Sequence, residues 1–354
     1  MSREALRTAL VGANFMGAYH LRHAALLPEF AVVAICDLNE EVAQTLASEF
    51  EGAAAYSDYS TMLRESRPDV VIIATSTAAH APLTLLAVES GVRAVHCEKP
   101  MAVNLGDACA MVEACSAKGV SLLVNHQRRT FPVYREMRRL MESGALGEIE
   151  LIRASCAGDV LSDGTHLIDT VRHLNGDNEV KWVFGQVTRQ LDKADESGNS
   201  GFRYGHPVET GSMAILQFEN GVRAEIFTGS MQQKGRWYQE YEVIGTQGRL
   251  HRNGDSSDPP LLIQDAQAGG WRAVPVDGSD DLNKTSSDME TEIFGRFADM
   301  IFDGATHPMS GDSGFKNQEI VMAIYESARL RARVDLPLKQ DRFPLELMIE
   351  AGEL

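Results

Sequence analysis

Three groups of residues in this chain have types and spacings that could carry chemistry. In the first, the apolar run Leu6–Val11 feeds Gly12-Ala13-Asn14-Phe15-Met16-Gly17 and then a helical stretch. A glycine at a strand end permits a tight turn, and a second one lets helix and strand approach. The N–H groups and dipole at a helix start suit a pyrophosphate. Asn14 stands where a dinucleotide-binding turn usually has its middle glycine. Asp37 lies 20 residues beyond Gly17, at the end of the second predicted strand, where a carboxylate can accept both hydroxyls of an adenosine ribose. It also suits the cap of a helix starting at Glu40. A 2′-phosphate would face Asp37, with Glu40 and Glu41 nearby and no Lys or Arg at positions 38–41, so NAD is expected over NADP.

The second group is His96-Cys97-Glu98-Lys99-Pro100, at the carboxyl end of a predicted strand, the edge where open α/β sheets bind ligands. A Glu-Lys pair by itself is ordinarily a solvated couple. The third is Gly164–Leu174, which reads as a helix with Leu167, Ile168, Val171 and Leu174 on one face and His166, Asp169, Thr170 and His173 on the other. Asp169 and His173 are four apart, one turn from each other, and a carboxylate beside an imidazole raises its basicity. Three readings stand side by side: a solvated face, an acid/base pair, and a zinc site of His166, Asp169 and His173.

The frame that must hold these groups is an α/β fold. Predicted strands at Leu6–Gly12, Ala31–Asp37, Asp69–Thr75, Val92–Cys97 and Val120–Asn125, with a weaker one at Ala53–Tyr56, alternate with helices starting at Phe15, Glu40, Ala78 and Leu105. This is the pattern of an N-terminal Rossmann domain, residues 1–125, with a parallel sheet wrapped by helices. Residues 126–354 are expected to form an α+β domain for substrate and oligomer contacts, with a large, mainly antiparallel open sheet. Its strands are predicted at Glu148–Cys156, Val180–Gln190, Thr210–Phe218, Val222–Gly229 and Trp237–Gly245, after a helix at Val133–Glu142. Asn220-Gly221 is a hairpin signal. Polar connections at Asp192–Pro207 and Asn253–Asp288, the second with seven Asp, read as solvated loops. Helices at Met289–Phe302 and Phe315–Arg333 are expected to pack back on the first domain.

Composition narrows the function. Lys+Arg 33 against Asp+Glu 50 gives a net charge of −17, and no basic cluster would hold nucleic acid or an anionic membrane. Apolar stretches such as Val70–Ala74 fall far short of the ~18 residues of a membrane span. The N-terminus resembles no secretory signal. Five cysteines without a C-x-x-C pair suit free thiols in a reducing compartment. A cytoplasmic enzyme is expected.

Taken together, Gly12-x4-Gly17, Ala74-Thr75-Ser76-x3-His80, Glu98-Lys99-Pro100 and Gly164-x4-Asp169-x3-His173 resemble, in order and spacing, the glucose–fructose oxidoreductase and inositol dehydrogenase (Gfo/Idh/MocA) family. Asn125-x3-Arg129-x2-Pro132, Ile244-Gly245-Thr246-x-Gly248 and Ser310-Gly311-x2-Gly314 are similar to it too, so the likeness runs from residue 6 to about 335. The resemblance implies an NAD(P)-dependent dehydrogenase acting on a secondary alcohol of a sugar, polyol or cyclitol. It implies Lys99, Asp169 and His173 as the catalytic set. It further implies cofactor contacts from Gly12, Asn14, Phe15, Met16, Gly17, Asp37, Thr75, Ser76, His80, Glu98 and Lys99. Asn125, Arg129 and His166 are expected at substrate hydroxyls, and no metal is expected. Ser76 stands where the family often has proline. The open face of the second sheet predicts a homodimer or homotetramer, which also resembles the family. Two alternatives keep NAD differently: a hydrolase or lyase that returns the hydride each turnover, and a non-catalytic dinucleotide sensor.

Overall fold

The computed structural model describes residues 3–190, 201–232, 238–255, 257–265, 269–277 and 282–354, with 282–287 described through their backbone alone. The expected loop residues Asp192–Ser200, and Trp237 of a predicted strand, lie outside the described residues. The chain divides into two units, Met1–His126 with Ser287–Lys316, and Gln127–Ser286 with Asn317–Leu354. The C-terminal segment Ser287–Lys316 thus belongs to the first unit, and the second is discontinuous in sequence.

In the first unit, β1 (Leu6–Val11), β2 (Phe30–Cys36), β3 (Ala54–Tyr56), β4 (Val70–Ile73), β5 (Ala94–Cys97) and β6 (Ser121–Val124) form a parallel sheet in the order β3-β2-β1-β4-β5-β6. The strand order reverses between β1 and β4, and the crevice at such a reversal is where doubly wound sheets bind ligands. Every residue of β4 and β5 is buried, as expected for strands covered on both faces. One face packs Val11, Val71, Ile73 and Val95 against Met62, Ala81, Ala108 and Met111. The other packs Leu10, Ile35 and Ile72 against Leu21, Leu46, Phe294 and Phe297.

The helices α1 (Phe15–Ala24), α2 (Glu40–Ala47), α3 (Tyr59–Ser66), α4 (Thr77–Ser90) and α5 (Leu105–Lys118) have local reasons to start and stop. Asn14, Asn39, Asp58 and Asn104 each accept a backbone N–H as N-caps, worth ~1 kcal/mol apiece. Left-handed Gly91 and Gly119 end α4 and α5. Helix α3 was not anticipated, although Asp58 and the buried spacing Tyr59, Met62, Leu63, Ser66 mark it.

The second unit opens with a 3-10 turn at Gln127–Thr130, α6 (Pro132–Glu142), β7 (Ile149–Cys156) and α7 (Gly164–Leu174). Then come β8 (Val180–Thr188), β9 (Phe202–Arg203), β10 (His206–Pro207), β11 (Gly211–Phe218), β12 (Arg223–Gly229), β13 (Gln239–Gly245), β14 (Gly248–Arg252), β15 (Leu262–Asp265) and β16 (Arg272–Ala273). Helices α8 (Leu282–Asp303) and α9 (Gly311–Leu330), strand β17 (Val334–Asp335) and α10 (Pro344–Glu350) complete the chain. The large sheet has the order β16-β15-β14-β13-β7-β12-β11-β8-β17. It is antiparallel except where β12 runs parallel to β7. Alternation is plain along β12, where Ala224, Ile226 and Thr228 are buried and Arg223, Glu225 and Phe227 face outward. Helix α7 lies on the buried face, against β7 and β12.

The Asp-rich stretch beyond Asn253 is less loop-like than its composition predicts. It contributes β15 and β16. Asp255 accepts from the guanidiniums of Arg128 (3.1 and 3.0 Å) and Arg252 (2.7 Å), both buried. A carboxylate expected in water thus neutralises two buried cations, which hold its carboxyl below the usual range although burial works against them.

Candidate active site

The turn after β1 is built by exclusion. Gly12 has φ +91°, and a Cβ there would stand 2.3 Å from the Ala74 carbonyl oxygen. At Gly17 a Cβ would stand 1.9 Å from the Gly12 carbonyl oxygen. Neither position tolerates a side chain, so strand, turn and helix are locked at close approach. Asn14 needs no glycine: its backbone is extended, its side-chain oxygen accepts the Gly17 N–H at 3.0 Å, and its amide donates to the Ala74 carbonyl. The substitution ties the turn to the end of β4.

Asp37, half-buried after β2, accepts the Ala13 N–H at 2.8 Å and the Asn39 N–H at 2.9 Å. Asn39, not Asp37, caps α2. Phe15 and Leu38 leave 80% and 97% of their surfaces exposed on either side of this turn. Leu38 was not singled out from the sequence, although a bulky apolar residue directly after a strand-end acid is a readable signal. The glycine cradle, the carboxylate and the uncovered apolar side chains fit a dinucleotide, with Gly12–Gly17 for the phosphates, Asp37 for the ribose and Leu38 for the base. Thr75 is half-buried and Ser76 exposed just beyond β4. His80 sits beneath them: it is buried, with Nδ1 2.9 Å from the Pro100 carbonyl and Nε2 3.3 Å from that of Thr75. It joins the loops after β4 and β5, and burial lowers its proton affinity.

Lys99 is half-buried immediately after β5, and its peptide bond to Pro100 is cis. Glu98 points inward. Its carboxylate lies 2.7 Å from His20 Nε2 and accepts from the Asn125 amide at 3.3 Å. Burial opposes a charge there, but the hydrogen bond and charge of His20, with Lys99 and His96 beyond, hold the Glu98 carboxyl down at about 2. Glu98 and Asn125, expected at cofactor and substrate, therefore belong to an internal network, and its other members, His20 and Glu290, were missed.

In the second unit the polar side of α7 is not a solvated face. His166, Asp169 and Thr170 are buried and His173 is half-buried. Arg129, in the 3-10 turn, forks onto Asp169 through Nε (2.7 Å) and Nη2 (2.8 Å) and reaches Asp177 at 2.8 and 3.0 Å. The structure thus joins Arg129, expected at substrate hydroxyls, to Asp169. Arg138 of α6 donates from Nη1 to His173 Nδ1 at 3.2 Å. Burial, then the charge of Arg129, push His173 down to about 4, with Arg138 adding to them and Asp169 opposing. His166 occupies the first turn of α7, its backbone N–H on the Asp163 carbonyl. Among the described residues, the histidine and carboxylate donors that converge closely enough for a metal are His20, His96 and Glu290, not His166, Asp169 and His173.

Comparison with known proteins identifies the family. Residues 6–126 match the family model described as the GFO/IDH/MocA oxidoreductase family with an NAD-binding Rossmann fold, and residues 134–251 match the GFO/IDH/MocA C-terminal domain. The D-apiose dehydrogenase of Paraburkholderia graminis is 28% identical over 370 residues, covering 97% of this chain and 93% of its own. The myo-inositol 2-dehydrogenase of Thermotoga maritima is 25% identical over 259 residues, covering 69% and 74%. A solved structure of levoglucosan dehydrogenase in complex with NADH and L-sorbose shares the fold, with TM-score 0.78 at 24% identity over 94% of this chain and 99% of that one. No helix among the described residues is long and apolar enough to cross a membrane.

Proposed function

This chain belongs to the GFO/IDH/MocA family of NAD-binding oxidoreductases, and we propose that it oxidises a secondary alcohol of a sugar, polyol or cyclitol. One observation carries the reading. The Gly12–Gly17 cradle after β1, Asp37 after β2 and Lys99 after β5 all sit at the carboxyl edge of one sheet, around its point of strand-order reversal. A dinucleotide cradle and a half-buried lysine on that edge suit hydride chemistry better than binding alone. The sugar and cyclitol dehydrogenases among the relatives support the substrate class.

When bound, the nicotinamide supplies the hydride acceptor. Lys99 directs its ammonium at the alcohol oxygen and stabilises the alkoxide as charge develops. A neutral His173 accepts the hydroxyl proton at Nε2 when Nδ1 carries the ring's own proton, which requires Arg138 to release Nδ1. Asp169 acts through Arg129, which lies between it and Asp177, and so is a positioning residue for the helix that carries His173. With Asn125 and Arg129 engaged on carboxylates, His166 is the candidate retained for a substrate hydroxyl.

A second reading rests on Arg138. Arginine only donates, so His173 Nδ1 accepts and the neutral ring carries its proton on Nε2. In that tautomer His173 donates to the substrate oxygen, and Lys99, acting as a neutral amine instead of an ammonium, takes the hydroxyl proton. Reduction of NAD by a panel of alcohols tests the function, and the pH–rate profile of an Arg138 variant separates the two readings.

The assembly proposed is a homodimer or homotetramer through the outer face of the large sheet, and the compartment proposed is the cytoplasm. Phe184 and Met213 stand exposed on that face, and Arg153 lies between Glu225 and Glu242. A face with both apolar side chains and alternating charge can pair with its own copy across a two-fold axis. Five cysteines outside any disulfide, four of them buried, support a reducing compartment.

A further inference from the structure

His20 projects from α1 into the interior of the first unit and is fully buried. Its Nε2 lies 2.7 Å from Glu98 and its Nδ1 lies 2.6 Å from Glu290. A neutral imidazole donates from one nitrogen only, and an ionised carboxylate only accepts. Two carboxylates at these distances therefore call for a ring protonated on both nitrogens. Burial opposes that charge, but the fields and hydrogen bonds of Glu290 and Glu98 overcome it and raise the His20 pKa to about 10.

The surroundings are closed on every side. Tyr19 of α1 meets the His20 ring edge-on at 5.5 Å, and His96 of β5 lies 5.0 Å away, stacked on Phe294 of α8. Burial keeps His96 neutral, with the charge of His20 acting in the same direction and His307 adding to it. The Asn125 amide, beyond β6, reaches Glu98 at 3.3 Å and Glu290 at 3.5 Å. The charge of Lys99 also acts on Glu98. One imidazolium thus gathers the nucleotide-binding helix, the end of β5, the end of β6 and α8.

We propose that His20 is a positioning residue for Lys99: held between Glu98 and Glu290, it draws the Glu98 carboxylate inward and so fixes the strand end and the field from which the neighbouring ammonium acts. The proposal rests on the reading of Lys99 given above. Without the imidazolium, two buried carboxylates would share one amide. Like charges so placed repel, and Glu98 would turn its charge on Lys99 instead.

The test combines nitrogen-15 histidine NMR on the intact protein with kinetics on the best alcohol among D-apiose, myo-inositol and levoglucosan. In the native protein both His20 ring nitrogens should stay protonated from about pH 6 to about pH 9, where a free imidazole would be neutral over most of the range. His20→Gln should lower kcat about tenfold or more with the Kd for NAD within about threefold, and the alkaline limb of the rate profile should move to higher pH. His20→Gln/Glu98→Gln, which removes the cation and the carboxylate it restrains together, should recover part of kcat and return the limb. A ring neutral at about pH 7 overturns the proposal, as does native kcat in His20→Gln. A loss that neither moves the limb nor recovers in the double variant also overturns it. If His20→Gln does not fold, the NMR result and the double variant decide. Lys99→Ala is run in parallel: undiminished turnover there refutes the reading of Lys99, while the NMR result still reports on His20.

Discussion

Arg129 and Asp169 form a forked ion pair, 2.7 and 2.8 Å, with 1% and 3% of their side chains exposed. The pair links the 3-10 turn after the first unit's last strand to the helix carrying His166 and His173. Breaking a buried pair by removing one partner leaves an uncompensated charge, at a cost of about 3–5 kcal/mol. Arg129→Met should lower stability by that order in urea denaturation of the full chain, and Asp169→Asn should do nearly as much. Loss below about 1 kcal/mol, the range of exposed pairs, would make the pair dispensable.

This pair also marks where sequence reading ends. The dinucleotide turn, Asp37 and the strand end at Lys99 are legible because they follow local spacing: Gly17 answers to the Gly12 carbonyl within one strand-turn-helix unit, whereas the Ala74 carbonyl that crowds Gly12 comes from the end of β4 and is not local. The helix Gly164–Leu174 was legible too, but the partners of its polar face were not. Asp169 and His173 are neighbours on one helix turn, yet Asp169 is claimed by an arginine 40 positions away in sequence. His20 and Glu290, 270 apart, carry no shared local pattern. Helix α3 and strands β14 and β15 were missed for the opposite reason: their signals are local but short, and β15 lies in a stretch whose Asp content outweighed its Leu262-Ile263 core.

His173 and Arg138 give a prediction for pH. With His173 pushed down to about 4, a base role predicts a kcat/KM profile flat through neutrality whose acidic limb falls near that value. Arg138→Met removes a positive charge and a donor to Nδ1, so the ring should bind its proton more readily and the limb should move upward. His173→Ala should lower kcat by about 10²–10⁴ with NAD affinity unchanged. An acidic limb indifferent to Arg138→Met would favour Lys99 as the proton acceptor.

Asp37 should set cofactor choice. Asp37→Ala removes a ribose acceptor and a repulsive charge together, weakening NAD and narrowing its advantage over NADP. The ratio of kcat/KM for the two cofactors measures this directly. Equal use of NADP by the native protein would contradict the assignment.

Assembly is measured by light scattering across protein concentration. A dimer or tetramer is expected at micromolar concentration, and Phe184→Asp/Met213→Asp on the outer sheet face should dissociate it. A native monomer, or an assembly indifferent to that double variant, would remove this face as the interface.

The account rests most heavily on Lys99 acting beside a bound dinucleotide. The direct measurement is the appearance of NADH absorbance when native protein and Lys99→Ala are mixed with NAD and each of D-apiose, myo-inositol and levoglucosan. Native protein should release NADH with at least one alcohol, and Lys99→Ala should be slower by about 10² or more while binding NAD equally well. Tight NAD binding by the native protein with no NADH from any alcohol, or undiminished turnover in Lys99→Ala, would contradict it.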